Sequence, residues 1–114
     1  MKIAVLGAGS WGLSLTIHLK RAGHEPRLWV YDPMQAAELA ESRQKPNLLA
    51  GGQLDPDILI THSLEHTLAG VDGVLVVVPS HAVRETMLKA SPFIPKSMWV
   101  ACATKGLEEQ THLR

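Results

Sequence analysis

The sequence predicts an α/β fold: a doubly wound, mainly parallel sheet with helices on both faces. Three observations carry the prediction. Short apolar runs rich in β-branched residues alternate with longer amphipathic stretches, a glycine-rich turn joins the first run to the first stretch, and no repeat or linker interrupts the pattern. Parallel strands need crossover connections of about a dozen residues or more, usually helical, and the longer stretches have that length.

Residues 2–6, 27–31, 58–61, 74–78 and 98–103 have the length and composition of strands mostly covered on both faces, and Val74-Leu75-Val76-Val77-Val78 is the clearest of them. Residues 10–22, 33–43 and 80–90 are sized as crossover helices, and 63–68 as a shorter one. The first of these carries a conflicting signal, since Leu13, Leu15, Ile17 and Leu19 alternate with Ser14, Thr16, His18 and Lys20 as in a half-exposed strand. Helical spacing is also present in Trp11, Leu15, Leu19 and Ala22, with Gly23 as a stop. The helix is preferred because a strand would leave the glycine turn before it without a purpose.

A chain of 114 residues suits one domain with one core. It is 46% apolar, and its 11 basic residues balance 11 acidic ones, so neither disorder nor an electrostatic hold on nucleic acid or an anionic membrane is favoured. Gly7 and Gly9 cut the first apolar run far short of a signal or spanning segment, and no membrane insertion is expected. Cys102 has no second cysteine to pair with, and its apolar surroundings suggest a buried strand. A reduced, cytoplasmic setting is expected.

Gly7-Ala8-Gly9-Ser10-Trp11-Gly12 matches G-x-G-x-x-G directly after a strand and at the start of a helix. The first glycine allows the tight turn, the second lets a pyrophosphate approach the backbone, and the third lets the helix pack closely on the strand. The N–H groups of the helix start then face phosphate. This is the fingerprint of a Rossmann-type dinucleotide-binding domain, with NAD or NADP as the cofactor.

Asp32 lies 20 residues beyond Gly12, where such folds place the acid that holds the adenosine ribose. Asp32-Pro33-Met34-Gln35 is equally a helix start, with Asp32 as N-cap, Pro33 in the first turn and Gln35 at the capping-box position. The two roles do not exclude each other. Tyr31 either packs against adenine or ends the strand with its ring at the surface.

Four segments in order, Gly7-Ala8-Gly9-Ser10-Trp11-Gly12, Leu28-Trp29, Val76-Val77-Val78-Pro79-Ser80 and Ala103-Thr104-Lys105-Gly106-Leu107-Glu108, resemble successive signatures of bacterial-type NAD(P)-dependent glycerol-3-phosphate dehydrogenase. The resemblance implies reversible reduction of dihydroxyacetone phosphate to sn-glycerol 3-phosphate, which feeds phospholipid synthesis. It also implies that Ser10, Trp11 and Tyr31 contact the cofactor, and that Lys105 is a catalytic residue reaching cofactor and substrate. A fixed ammonium suits that place because it can hold a polarised carbonyl oxygen or a phosphate.

Two departures from the family pattern matter. Family members often carry arginine where Tyr31 stands, so Tyr31 beside Asp32 leans towards NAD. The family's Tyr-Leu-Pro-Gly segment reads Leu48-Leu49-Ala50-Gly51 here, without its aromatic. The resemblance further implies a helical substrate domain beyond Arg114, holding the principal catalytic lysine and the phosphate clamp, so that residues 1–114 alone are expected to be inactive. A homodimer is left open.

His62 and His66 have helical i, i+4 spacing but no persuasive third ligand, and no metal site is expected. Ser80-His81 lacks a nucleophile elbow, and Ser80 reads as a helix N-cap. Two other functions stay open: a stand-alone dinucleotide sensor, and the cofactor domain of another two-domain dehydrogenase such as a ketopantoate or hydroxyacid reductase. A reading frame continuing into a second domain would favour a dehydrogenase over the sensor.

Overall fold

In the computed structural model of the chain, residues 1–42, 54 and 56–102 are described. Five strands, β1 (Lys2–Leu6), β2 (Glu25–Trp29), β3 (Leu59–Thr61), β4 (Gly73–Val76) and β5 (Trp99–Cys102), form one sheet in the order β3-β2-β1-β4-β5. All four neighbouring pairs are parallel, as the alternation of strands and helices predicts. Among the described residues, four α-helices lie between them: α1 (Ser10–Arg21), α2 (Pro33–Ser42), α3 (Leu64–Leu68) and α4 (Val83–Ala90).

The near-continuous apolar strands are explained by two cores, one on each face of the sheet. Val5 of β1 and Leu28 of β2 join Leu13 and Ile17 of α1 and Ala36 and Leu39 of α2 on one face. Ala4 and Leu6 of β1 and Trp29 of β2 join Val74 and Val76 of β4, Leu68 of α3 and Ala90 of α4 on the other. Successive side chains of a strand point to opposite faces, so a strand covered on both must be apolar throughout.

Several boundaries differ from the sequence reading. β2 begins at Glu25 and includes Pro26, although proline usually avoids strand interiors. Glu25 N–H donates to the Met1 carbonyl at 2.9 Å, so the pleat turns Pro26 nitrogen towards β3, and β3 begins only opposite Arg27. No ladder hydrogen bond is lost. β4 ends at Val76 instead of Val78: after Val77 N–H reaches Leu6 O at 2.8 Å, β1 has turned away at Gly7.

α1 settles the conflict of periodicities in favour of the helix, but its stripe is displaced. Leu13, Thr16 and Ile17 are buried, Leu15 and Leu19 flank them, and Trp11 and Ala22 are exposed. Ala22 caps the helix, its N–H donating to His18 O at 3.0 Å, and Gly23 follows as expected. The fourth crossover starts with a 3₁₀ turn over Ser80–Ala82, closed by Ala82 N–H on Pro79 O at 2.8 Å, and Ala82 is the N-cap of α4. Ser80 is therefore not the cap of that helix. Ser63 instead caps α3, its Oγ accepting from His66 N at 3.2 Å.

The sheet margins also depart from expectation. All four β5 residues are exposed, including Cys102, and among the described residues β5 stands at one end of the sheet, paired with β4. Leu59 of β3, at the opposite margin, is exposed as well. Among the described residues no helix is long and apolar enough to cross a membrane, and no group of three His, Cys, Asp or Glu could hold a metal. Arg43 and Ala103, at the ends of expected elements, lie outside the described residues.

Candidate functional site

In a sheet ordered 3-2-1-4-5 the chain leaves β1 in one direction and returns to β4 on its other side. The crevice at the carboxyl ends of β1 and β4 is thus the topological switch point, where ligands of such sheets collect. The glycine turn lies at that place.

The three glycines are required for different reasons. Gly7 has φ +131°, a conformation side chains rarely adopt, and a Cβ there would stand 2.8 Å from Val77 carbonyl carbon and 3.0 Å from Val78 nitrogen. A Cβ on Gly12 would overlap the Gly7 carbonyl oxygen, so the third glycine lets α1 press against the turn. Thr16, buried one turn on, donates its hydroxyl to Gly12 O at 2.8 Å.

Gly9 differs from both. Its φ of −71° and ψ of 179° suit any residue, and a Cβ there would meet nothing within 4 Å. Among the described residues neither conformation nor crowding calls for glycine, and the space in front of it is open. Such a cradle fits a pyrophosphate pressed against the backbone, and a side chain would fill it.

α1 begins at the next residue, Ser10, and Leu13 N–H closes its first turn on Gly9 O at 2.9 Å. The amides of a first turn have no carbonyl within the helix to meet and form its positive pole. The first turn of α1 carries no acidic side chain, whereas His18, Lys20 and Arg21 occupy its last turn. The N-terminus therefore keeps its attraction for an anion. Trp11 stands half out of the surface there, 42% exposed.

The end of β2 supplies the second half of the site. Gly7 N–H donates to Trp29 O at 3.0 Å, which ties the glycine turn to the segment holding Tyr31 and Asp32. Asp32 is the N-cap of α2: Oδ1 accepts from Met34 N at 3.0 Å, and its carbonyl accepts from Ala36 N at 2.9 Å. Tyr31 is 62% exposed and its ring meets Trp29 edge-on, centroids 6.0 Å apart at 83°. Trp29 is fixed in turn by its indole N–H on His62 O at 2.8 Å.

Lys89 of α4 approaches the same ring, with Nζ 5.4 Å from the Tyr31 centroid and 3.1 Å from Glu85 Oε2. The hydrogen bond that Lys89 donates to Glu85, reinforced by the carboxylate's charge, raises the pKa of the ammonium above the ordinary lysine value.

The structure thus gathers Gly7, Ala8, Gly9, Ser10, Trp11, Gly12, Tyr31 and Asp32 at one edge of the sheet. Lys105, Leu48, Ala50 and Gly51 lie outside the described residues. β5, which precedes Lys105, ends at Cys102 on this same edge, opposite Val76. Two contributions were missed in the sequence. The backbone of Val77 and Val78 under Gly7 was hidden within an apparent strand, and the only sign of Lys89 was its i, i+4 spacing from Glu85.

Sheet order, switch point and glycine turn together define a Rossmann-type α/β domain. The family model described as NAD-dependent glycerol-3-phosphate dehydrogenase N-terminus matches residues 2–114, and the chain belongs to that family. It is 41% identical over 110 residues to glycerol-3-phosphate dehydrogenase [NAD(P)+] of Citrifermentans bemidjiense, covering 96% of this chain and 33% of that protein. It is 44% identical over 116 residues to the enzyme of the same name from Hydrogenovibrio crunogenus, covering 99% and 34%. The chain thus spans about a third of the length of the curated relatives it matches.

Among solved structures, glycerol-3-phosphate dehydrogenase from Coxiella burnetii superposes with a TM-score of 0.83 at 34% identity, over 91% of this chain and 32% of that one. A ketopantoate reductase from Ralstonia eutropha superposes at 0.76 and 27%, over 100% and 37%. The second likeness shows that the architecture is shared with the alternative reductase class.

Proposed function

We propose that residues 1–114 are the cofactor-binding domain of an enzyme that reversibly reduces dihydroxyacetone phosphate to sn-glycerol 3-phosphate with NAD(P)H, supplying glycerophospholipid synthesis in the cytoplasm. The observation that carries the dinucleotide reading is Gly9, a glycine the fold does not need, fronting open space at the positive end of α1. Family membership carries the choice of reaction.

In this reading the bound nicotinamide supplies the hydride, and the chain binds and orients. The backbone at Gly9 and Ser10 holds the pyrophosphate, and Tyr31 and Asp32 receive the adenosine. Trp11 borders the phosphates. Lys105 steadies the carbonyl oxygen or the phosphate of the substrate, a task for which a preorganised cation is worth several kcal/mol. A helical domain following residue 114 completes the substrate site; a homodimer of the whole protein stays open, and light scattering would decide it.

The substrate assay separates this reading from its neighbour in fold. The whole protein should oxidise NADH or NADPH with dihydroxyacetone phosphate and not with ketopantoate. The reverse preference would transfer the protein to the reductase class. NAD(H) binding by the whole protein without turnover of either substrate would favour a sensor.

A further inference from the structure

We infer that Lys89 is a specificity residue that accepts the 2′-phosphate when NADP is the cofactor, offsetting the acid after β2, which disfavours that phosphate. The inference rests on the dinucleotide reading above.

Among the described residues, two elements bring side chains to the proposed adenosine end. β2 runs into Tyr31 and Asp32, which bring an aromatic face and a negative charge but no cation. A 2′-phosphate adds roughly −1.5 to −2 charge and would meet the Asp32 carboxylate unfavourably. Lys89, in the last turn of α4, brings a positive charge to Tyr31. The Lys89 ammonium lies 5.4 Å from the Tyr31 ring centroid, within the range of a cation–π contact.

The arrangement holds the ammonium ready without locking it. Tyr31 meets Trp29 edge-on, and Trp29 is tied to His62 O, so one side of the ring is braced. Lys89 and Glu85 side chains are 51% and 58% exposed, and such a pair at helix spacing is weak in water. A phosphate arriving beside Tyr31 offers more charge than Glu85, and the flexible four-carbon stem lets the ammonium turn to it. With NAD bound, Lys89 stays with Glu85 and the ring. A lysine ammonium is charged throughout the neutral range, and Glu85 favours the protonated form further.

Two variants test this by opposite signs. In calorimetric titrations of the whole protein with NADPH and with NADH, K89M should weaken NADPH binding about fivefold or more, as expected of one lost phosphate contact at an exposed site, and leave NADH within about twofold. E85Q, which frees the lysine, should tighten NADPH and not NADH, and K89R should retain the wild-type ratio. The K89M effect should shrink as salt is raised. A merely structural role for Lys89 would change both affinities alike. An unchanged NADPH to NADH ratio in K89M and E85Q, with NADH still bound, overturns the assignment of Lys89 and spares the dinucleotide reading. Failure of the folded wild-type protein to bind either dinucleotide overturns both.

Discussion

At Gly7, Gly9 and Gly12, one residue type serves three purposes, and substitution should separate them. Gly7→Ala forces a side chain into a positive-φ conformation and against Val77, and Gly12→Ala pushes a methyl group into the Gly7 carbonyl. Strain and overpacking of this kind cost about 1–3 kcal/mol or more, and thermal melting should show both variants destabilised. Gly9→Val should behave differently. Its backbone angles suit valine and its surroundings are open, so the loss is no more than that of a poorer N-cap, about 1 kcal/mol, while dinucleotide affinity disappears. The motif named all three glycines in the sequence; it could not say which of them the fold itself requires, because that depends on how closely β4 passes beneath the turn.

Asp32 links the residue scale to the element scale, because its Oδ1 caps α2 whether or not a ribose is present. Asp32→Ala should lower stability by about 0.5–2 kcal/mol in denaturant unfolding, and Asp32→Asn, an equally good cap, should restore it. If Asp32 also holds the ribose, Asn will recover stability without recovering NADH affinity. Recovery of both would reduce Asp32 to a cap. The elements themselves were legible wherever two independent signals met. α1 was read correctly despite its alternating leucines because a glycine turn preceded it, but the face it buries was misread by taking Trp11 and Ala22 into the stripe in place of Leu13 and Thr16. The sequence pattern located neither the end of β4 nor the start of α4, since β4 stops where its neighbour turns at Gly7 and α4 starts after a 3₁₀ turn that follows Pro79. Lys89 was invisible for a related reason: its partner Tyr31 is more than fifty residues away in the chain, on another element.

For the whole molecule, the parallel pairing of the strands and the covering of both faces followed from the alternation of strands and helices, whereas the margins did not. β5 reads as a buried strand by composition, yet it is exposed throughout with Cys102 at its end, because no local pattern reveals which strand ends a sheet. The chain spans a third of its relatives' length, and the substrate domain is proposed to lie in the remainder. Residues 1–114 alone should therefore give no NADH oxidation with dihydroxyacetone phosphate above blank, and the whole protein should restore it. In the whole protein Lys105→Ala should reduce turnover at least ~10-fold with folding and adenosine binding intact, because lost stabilisation of a developing charge costs a few kcal/mol. Unchanged kinetics would make Lys105 an ordinary surface lysine. The central claim, that the open space at Gly9 receives a dinucleotide, is tested most directly by following backbone amide shifts of the folded protein during titration with NADH. The account predicts saturable shifts centred on Gly7 to Gly12 and on Tyr31 and Asp32, absent from a folded Gly9→Val protein; no shifts at those residues in a folded wild-type protein at millimolar dinucleotide, or the same shifts in Gly9→Val, would contradict it.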